Sequence, residues 1–135
     1  MIISDRDSLK TGIPLIDKQH EEYADLVDRF FEMADKGDVK REELSWAFDM
    51  VVKYAVEHFD AEEQLMRSVD YPYYDEHRAK HNIFRAKTDD FALFVTESVD
   101  IDVCAITASK WLINWFCDQV QCDDLKLARF LRSIH

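Results

Sequence analysis

The sequence predicts an all-α fold, an antiparallel up-down-up-down four-helix bundle, and three observations predict it. Glycine and proline number only two each in 135 residues, too few turn residues for a β-sandwich, a collagen-like rod or a loop-rich scaffold. Apolar residues recur at three-and-four spacing in four successive stretches, the period of one helix face. The breaks between these stretches are short, which favours antiparallel neighbours. With 47% hydrophobic residues, a chain of this length buries roughly two-thirds of the surface that its unfolded form exposes, enough for one core without staples.

The first face follows a loop ending at Gly12 and reads Ile16, His20, Tyr23, Val27, Phe30 and Ala34; Gly37 then supplies a helix stop. The second reads Leu44, Phe48, Val51, Ala55, His58, Glu62 and Leu65, and ends before Asp70-Tyr71-Pro72. Pro72 is placed in the first turn of the third helix, where its missing N–H costs nothing. The third face reads Tyr74, His77, His81, Phe84, Thr88, Phe91 and Val95. A polar break at Glu97-Ser98-Val99-Asp100 separates it from the fourth, Ala105, Ala108, Leu112, Trp115 and Gln119. No internal repeat, low-complexity tract or second-domain linker interrupts the chain.

The net charge of −11 argues against nucleic-acid backbones and anionic membrane surfaces, which are bound through basic patches. A small neutral ligand or an internal metal suits this balance better. No apolar stretch approaches the ~20 residues that span a bilayer, and the N-terminus from Met1 to Asp7 lacks the pattern of a signal peptide, so a cytoplasmic location is expected. Cys104, Cys117 and Cys122 form no metal-ligand pattern and read as small core or surface residues.

Every histidine except His135 falls on a face that the apolar residues define as core. Glu62 follows His58 by four residues and His81 follows His77 by four, so each pair stacks on one helix face with Cβ atoms ~5–6 Å apart. Four imidazoles and a carboxylate hidden without partners would cost ~1–3 kcal/mol per group, and more for the charged one. That total rivals the ~5–15 kcal/mol by which a whole domain is stable. A shared metal centre removes the penalty. Imidazole mixed with carboxylate suits iron, zinc or copper, and the lack of cysteine ligands argues against a structural zinc knot. Four imidazoles plus carboxylates exceed what one first-row ion takes, so two ions are expected. No Glu stands three residues before any of the four histidines, so the Glu-x-x-His pairs of ferritin-like carboxylate proteins are absent.

These residues resemble the hemerythrins, specifically their single-domain bacterial members. The matching pieces are Gly12-Ile13-Pro14-Leu15-Ile16-Asp17-Lys18-Gln19-His20, His58-Phe59-Asp60-Ala61-Glu62-Glu63-Gln64-Leu65-Met66, His77-Arg78-Ala79-Lys80-His81, and Trp115-Phe116 followed by Asp124. The resemblance spans nearly the whole chain and implies one hemerythrin-like domain over 1–135. It implies two non-haem iron ions, oxo- or hydroxo-bridged, with Glu62 and Asp124 joining them, His20 and His58 holding one, and His77 and His81 the other. It also implies that dioxygen is taken up on the His20–His58 side, in a dry pocket walled by Phe59, Trp115, Phe116 and Val120. Without the family, those aromatic positions read as core packing.

One position departs from the family pattern: Gln119 stands where a fifth histidine is expected, five residues before the bridging aspartate. A neutral amide oxygen is a weaker donor than imidazole, so Gln119 ligates weakly, a water replaces it, or the second iron is held loosely. Asp123, one step from Asp124, is the alternative bridging acid. Asp60, Asp75 and Asn82 are the candidates for orienting the imidazoles through hydrogen bonds.

Three functions follow as expectations. The first is reversible dioxygen binding for storage, delivery or sensing; the end of the chain at His135, soon after the fourth helix, favours storage or delivery. The second is a di-iron oxidase, peroxidase or nitric-oxide reducing enzyme that uses the coordination position left by Gln119. The third is a bundle whose site has decayed to a scaffold. Dioxygen is the expected partner, with nitric oxide or peroxide as alternatives.

Overall fold

Pro14, with φ already helical and no N–H to lose, opens the first helix, and Gly37 closes it at φ 76°, a backbone setting that other residues rarely adopt. The computed structural model describes residues 10–134. Over them the chain forms α1 (Pro14–Lys36), α2 (Arg41–Ser68), α3 (Tyr74–Glu97) and α4 (Ile101–Asp118). Instead of ending there, α4 runs on through a π-helical turn (Gln119–Asp124) into a short α5 (Leu125–Ser133). No strand occurs among the described residues.

The short connections turn the chain back on itself three times. α1 packs against α2 and α4, and α3 against α2 and α4, which is the antiparallel four-helix bundle expected. Asp100 caps α4, its side chain accepting from the Val103 N–H at 3.1 Å. Arg41 ties the start of α2 to the end of α3 by donating to the carbonyls of Val95, Thr96 and Ser98.

The predicted inner faces are buried along all four helices, with Leu65, Tyr74 and Trp115 only half-buried. The buried apolar residues form two clusters. The larger includes Val27, Phe48, Phe59, Phe84, Phe91 and Leu112. The smaller, at the other end, gathers Ile16, Met66, Tyr71, Leu127 and Leu131. On every helix the buried histidines and the acids and amide predicted to join them lie in sequence between members of the two clusters, so the polar site is a layer inside the bundle, whereas buried Asp28, Thr88 and Ser109 lie along the larger cluster.

One sequence expectation about the helices is corrected. Pro72 lies in the turn before α3, two residues ahead of Tyr74, because Tyr71 and Tyr74 close that turn through a backbone hydrogen bond of 3.2 Å. Beyond Gln119 the π turn leads into α5, which buries Leu127, Ala128 and Leu131. The three cysteines are free. No helix among the described residues is long and apolar enough to cross a membrane. The segment Met1 to Asp7 and His135 lie outside the described residues.

Candidate metal centre

Each long helix brings polar side chains to the buried layer because their spacing matches its turn. His58 and Glu62 on α2, and His77 and His81 on α3, are four residues apart and so share a face. Gln119 and Asp124 are five apart, which on an α-helix leaves them ~140° apart around the axis. The π turn, whose hydrogen bonds span i→i+5, closes roughly one full turn over those five steps. Both residues therefore face inward, and both are buried.

The four imidazoles present their Nε2 atoms to two carboxylates. Asp124 Oδ2 lies 2.6 Å from His20 Nε2 and 3.9 Å from His58 Nε2, while its Oδ1 lies 3.1 Å from His77 Nε2. Glu62 Oε1 lies 2.6 Å from His77 Nε2 and 3.1 Å from His81 Nε2, while its Oε2 faces His58 Nε2 at 3.5 Å. Each carboxylate thus turns one oxygen to the His20–His58 pair and the other to the His77–His81 side. The donors therefore fall into two adjacent groups, between which the carboxylates lie.

The layer is buried, and its charged groups face one another. Burial favours the neutral form of Asp124, but hydrogen bonds from His20, His58 and His77 outweigh it and hold the carboxyl well below its usual range. Glu62 is likewise disfavoured as an anion by burial and by Asp124, yet His77 and His81 lower its pKa. His77 loses by desolvation and gains more from Asp124 and Glu62, which raises it to about 10.

The donor set fits metal ions on the geometry itself. His20, His58, Glu62 and Asp124 offer donor atoms within 4.8 Å of one another, as do Glu62, His77 and His81. Two ligands at right angles on one ion, each ~2.1 Å from it, stand ~3 Å apart, close to the separations observed. Glu62 Oε2 is also buried with no hydrogen-bond partner, a deficit that a cation would remove.

Gln119 enters the layer beside His77, its amide nitrogen 2.9 Å from His77 Nε2 and 3.4 Å from Asp124 Oδ1. The amide thus stands at the third corner of the His77–His81 side. Asp124 is the inward acid; Asp123 points outward and pairs with Lys80 at 2.8 Å.

Next to His20 and His58 lies a small cavity, with about 10 Å³ for the centre of a water-sized molecule, near the least that holds one. Phe59, Trp115, Phe116 and Val120 all line it, together with Tyr23, Ala55 and Gln119. Sequence reasoning placed the first four there but missed Tyr23, whose buried hydroxyl has no partner.

It also missed the groups that orient the imidazoles. His58 Nδ1 meets Gln19 Oε1 at 2.7 Å, and His81 Nδ1 meets Glu63 Oε2 at 2.8 Å. Gln19 and Glu63 each sit one position, ~100° of helix rotation, from an inward residue, at the seam between helices. The expected partners are corrected accordingly. Asp60 and Asn82 accept instead from Arg85, at 3.2 and 2.8 Å, and Asp75 is exposed in the first turn of α3.

Comparison with known proteins agrees with this geometry. A model of the hemerythrin HHE cation binding domain matches residues 11–131. The bacteriohemerythrin of Stenotrophomonas maltophilia (strain R551-3) is 29% identical over 133 residues, covering 95% of this chain and 86% of its own. That of Pseudomonas aeruginosa (strain LESB58) is 26% identical over 110 residues, or 81% and 71% of the two chains. A shorter match, 31% over 72 residues, joins it to the bacteriohemerythrin of Methylococcus capsulatus, with 53% of each chain covered. This chain belongs to the hemerythrin family, whose members bind non-haem iron and dioxygen.

Proposed function

We propose that this protein holds two bridged non-haem iron ions and binds dioxygen reversibly. His20 and His58 hold one ion, His77 and His81 the other, and Glu62 and Asp124 bridge them; Gln119 stands beside the second. The observation that carries this reading is the pairing of carboxylate oxygens: each acid turns one oxygen to each side of the layer. Iron bound there supplies the redox chemistry by which dioxygen is taken up and given back. The protein's own part is to orient and to exclude. Gln19 fixes the His58 ring through Nδ1, leaving Nε2 turned inward. Phe59, Trp115, Phe116 and Val120 leave room for one small apolar molecule beside His20 and His58 and keep bulk water from the carboxylates.

Loading the protein with ferrous iron without air, followed by metal analysis and air titration in an absorption spectrometer, tests the proposal. Two irons per chain and an oxygen-dependent band that fades when oxygen is removed are expected. Fewer than one iron per chain, or a band that does not reverse, would sink it.

Gln119 favours a second reading, an oxidase, peroxidase or nitric-oxide reducing enzyme. Its neutral amide replaces a third imidazole on the His77–His81 side and lines the same cavity as His20 and His58. In that case Gln119→His abolishes steady consumption of oxygen or peroxide with a reductant. Unchanged turnover in that variant excludes this reading.

A further inference from the structure

The outer nitrogens of the four imidazoles meet three different surroundings. His20 Nδ1 and His77 Nδ1 are buried without a partner. His58 Nδ1 has the neutral amide oxygen of Gln19 at 2.7 Å. Only His81 backs onto a charge, the Glu63 carboxylate at 2.8 Å. Glu63 is itself buried and fixed from behind. Arg85 donates to the same oxygen at 2.9 Å, and Arg78 lies 3.6 Å from the other. Arg85 also covers the Phe59 ring, which in turn stacks on the His81 ring at 4.1 Å and 13°. His81 is thus held on a ring face and at Nδ1, and it is fully buried.

A carboxylate that accepts the Nδ1–H of an imidazole fixes the tautomer, turns the Nε2 lone pair to the metal and makes it a stronger donor. The side of the layer that receives this help is the side that carries Gln119 in place of a third imidazole. Resting on the two-metal reading above, we infer that Glu63, clamped by Arg85, is a positioning residue that lets the His77–His81 side keep its metal despite the neutral amide at Gln119. A plain salt bridge joining α2 to α3 would stabilise the fold whether or not metal is bound, and it would be indifferent to residue 119. The two roles therefore separate.

The test follows the release of iron from the ferrous-loaded protein to a chromogenic ferrous chelator under anaerobic conditions, alongside the melting temperature of the metal-free protein. Glu63→Gln keeps the shape and removes the charge. It is expected to release one of its two irons ~10–100-fold faster than the parent, the usual effect of losing such a partner, while the other iron leaves at the parent rate. Adding Gln119→His to Glu63→Gln restores slow release, because a third imidazole makes the help of Glu63 unnecessary. Arg85→Gln, which unclamps Glu63 without touching it, moves release in the same direction by a smaller factor and serves if Glu63→Gln does not fold. Gln19→Ala, on the opposite side, leaves the Glu63-dependent phase alone. Parent-like release from Glu63→Gln, equal acceleration of both irons, or no rescue by Gln119→His each overturns the inference. A parent protein that holds no iron overturns instead the metal reading beneath it.

Discussion

Protons and metal ions compete for the same inward nitrogens, and this sets how the metal-free protein responds to pH. His77 is raised to about 10 from 6.5, so its contribution to stability is complete below 6.5 and is lost as pH climbs through about 10. Asp124 is lowered from 3.8, so its contribution is present above that value and is lost as the pH falls below it. Melting of the metal-free protein between pH 3 and 11 is expected to be highest in the window between the two ordinary values and to decline on the alkaline side; His77→Ala flattens that alkaline decline. A melting temperature constant from pH 6.5 to 10.5 contradicts it. Tyr23 gives a second residue-scale prediction. Its hydroxyl is buried with no partner, and burial alone raises its pKa. Tyr23→Phe removes an unsatisfied group and stabilises the metal-free protein by ~1 kcal/mol in denaturant melts. A loss of stability instead would mean that the hydroxyl has a partner, a water in the cavity it lines.

The π turn decides the geometry of the centre at the scale of an element. Shortening Gln119–Asp124 by one residue leaves the two site residues four apart, the spacing at which an ordinary α-helix puts side chains on one face. Deleting the exposed Gln121 is therefore expected to convert the turn to α-helix, with iron loading preserved and stability within about 1 kcal/mol of the parent. Deleting Lys110, equally exposed but in the middle of α4, rotates everything after it by ~100° and turns Leu112 and Phe116 off the core. That variant is expected not to fold, by circular dichroism and melting. If deletion of Gln121 proves as damaging as deletion of Lys110, the π turn does more than set the phase of α5. α5 itself is held at both ends, by Asp124 in the layer and by Arg132 donating to the Thr11 carbonyl. Gly12 sits at φ 84° beside that contact, and a Cβ there would meet Arg132 Nη1 at 2.8 Å. Gly12→Ala must therefore both adopt a disfavoured φ and displace Arg132, with an expected loss of ~1–3 kcal/mol.

Across the whole molecule, the charged layer divides the apolar core into two clusters, and its donor groups are ones that could hold metal ions. Ligands that bind only the folded state stabilise it by mass action, ~2.7 kcal/mol at a hundred times the dissociation constant. Ferrous loading is expected to raise the melting temperature, and a chelator to return it to the metal-free value. If loading leaves melting unmoved, the polar layer is not where the metal binds. Glu62→Gln should remove most of the rise, since Glu62 reaches His58, His77 and His81 at once.

Much of this was legible in the chain itself, because local spacing is enough to define helix faces. The inward placement of His20, His58, Glu62, His77 and His81 follows from three-and-four periodicity, and the bundle from short breaks between four such faces. Periodicity carries no information about what crosses from one helix to another. Gln19 and Glu63 look like ordinary surface residues until α2 packs against α1 and α3 and brings His58 and His81 to them. The choice of Asp124 over Asp123 was open for a related reason: an α-helical count from Gln119 favours Asp123, four residues on, and only the i→i+5 turn brings Asp124 inward instead. The sequence by itself thus determined which residues of the four long helices face inward, since that depends on angles along a single α-helix. Only the tertiary structure decided which oxygen meets which nitrogen, since that depends on how separate helices are phased against each other.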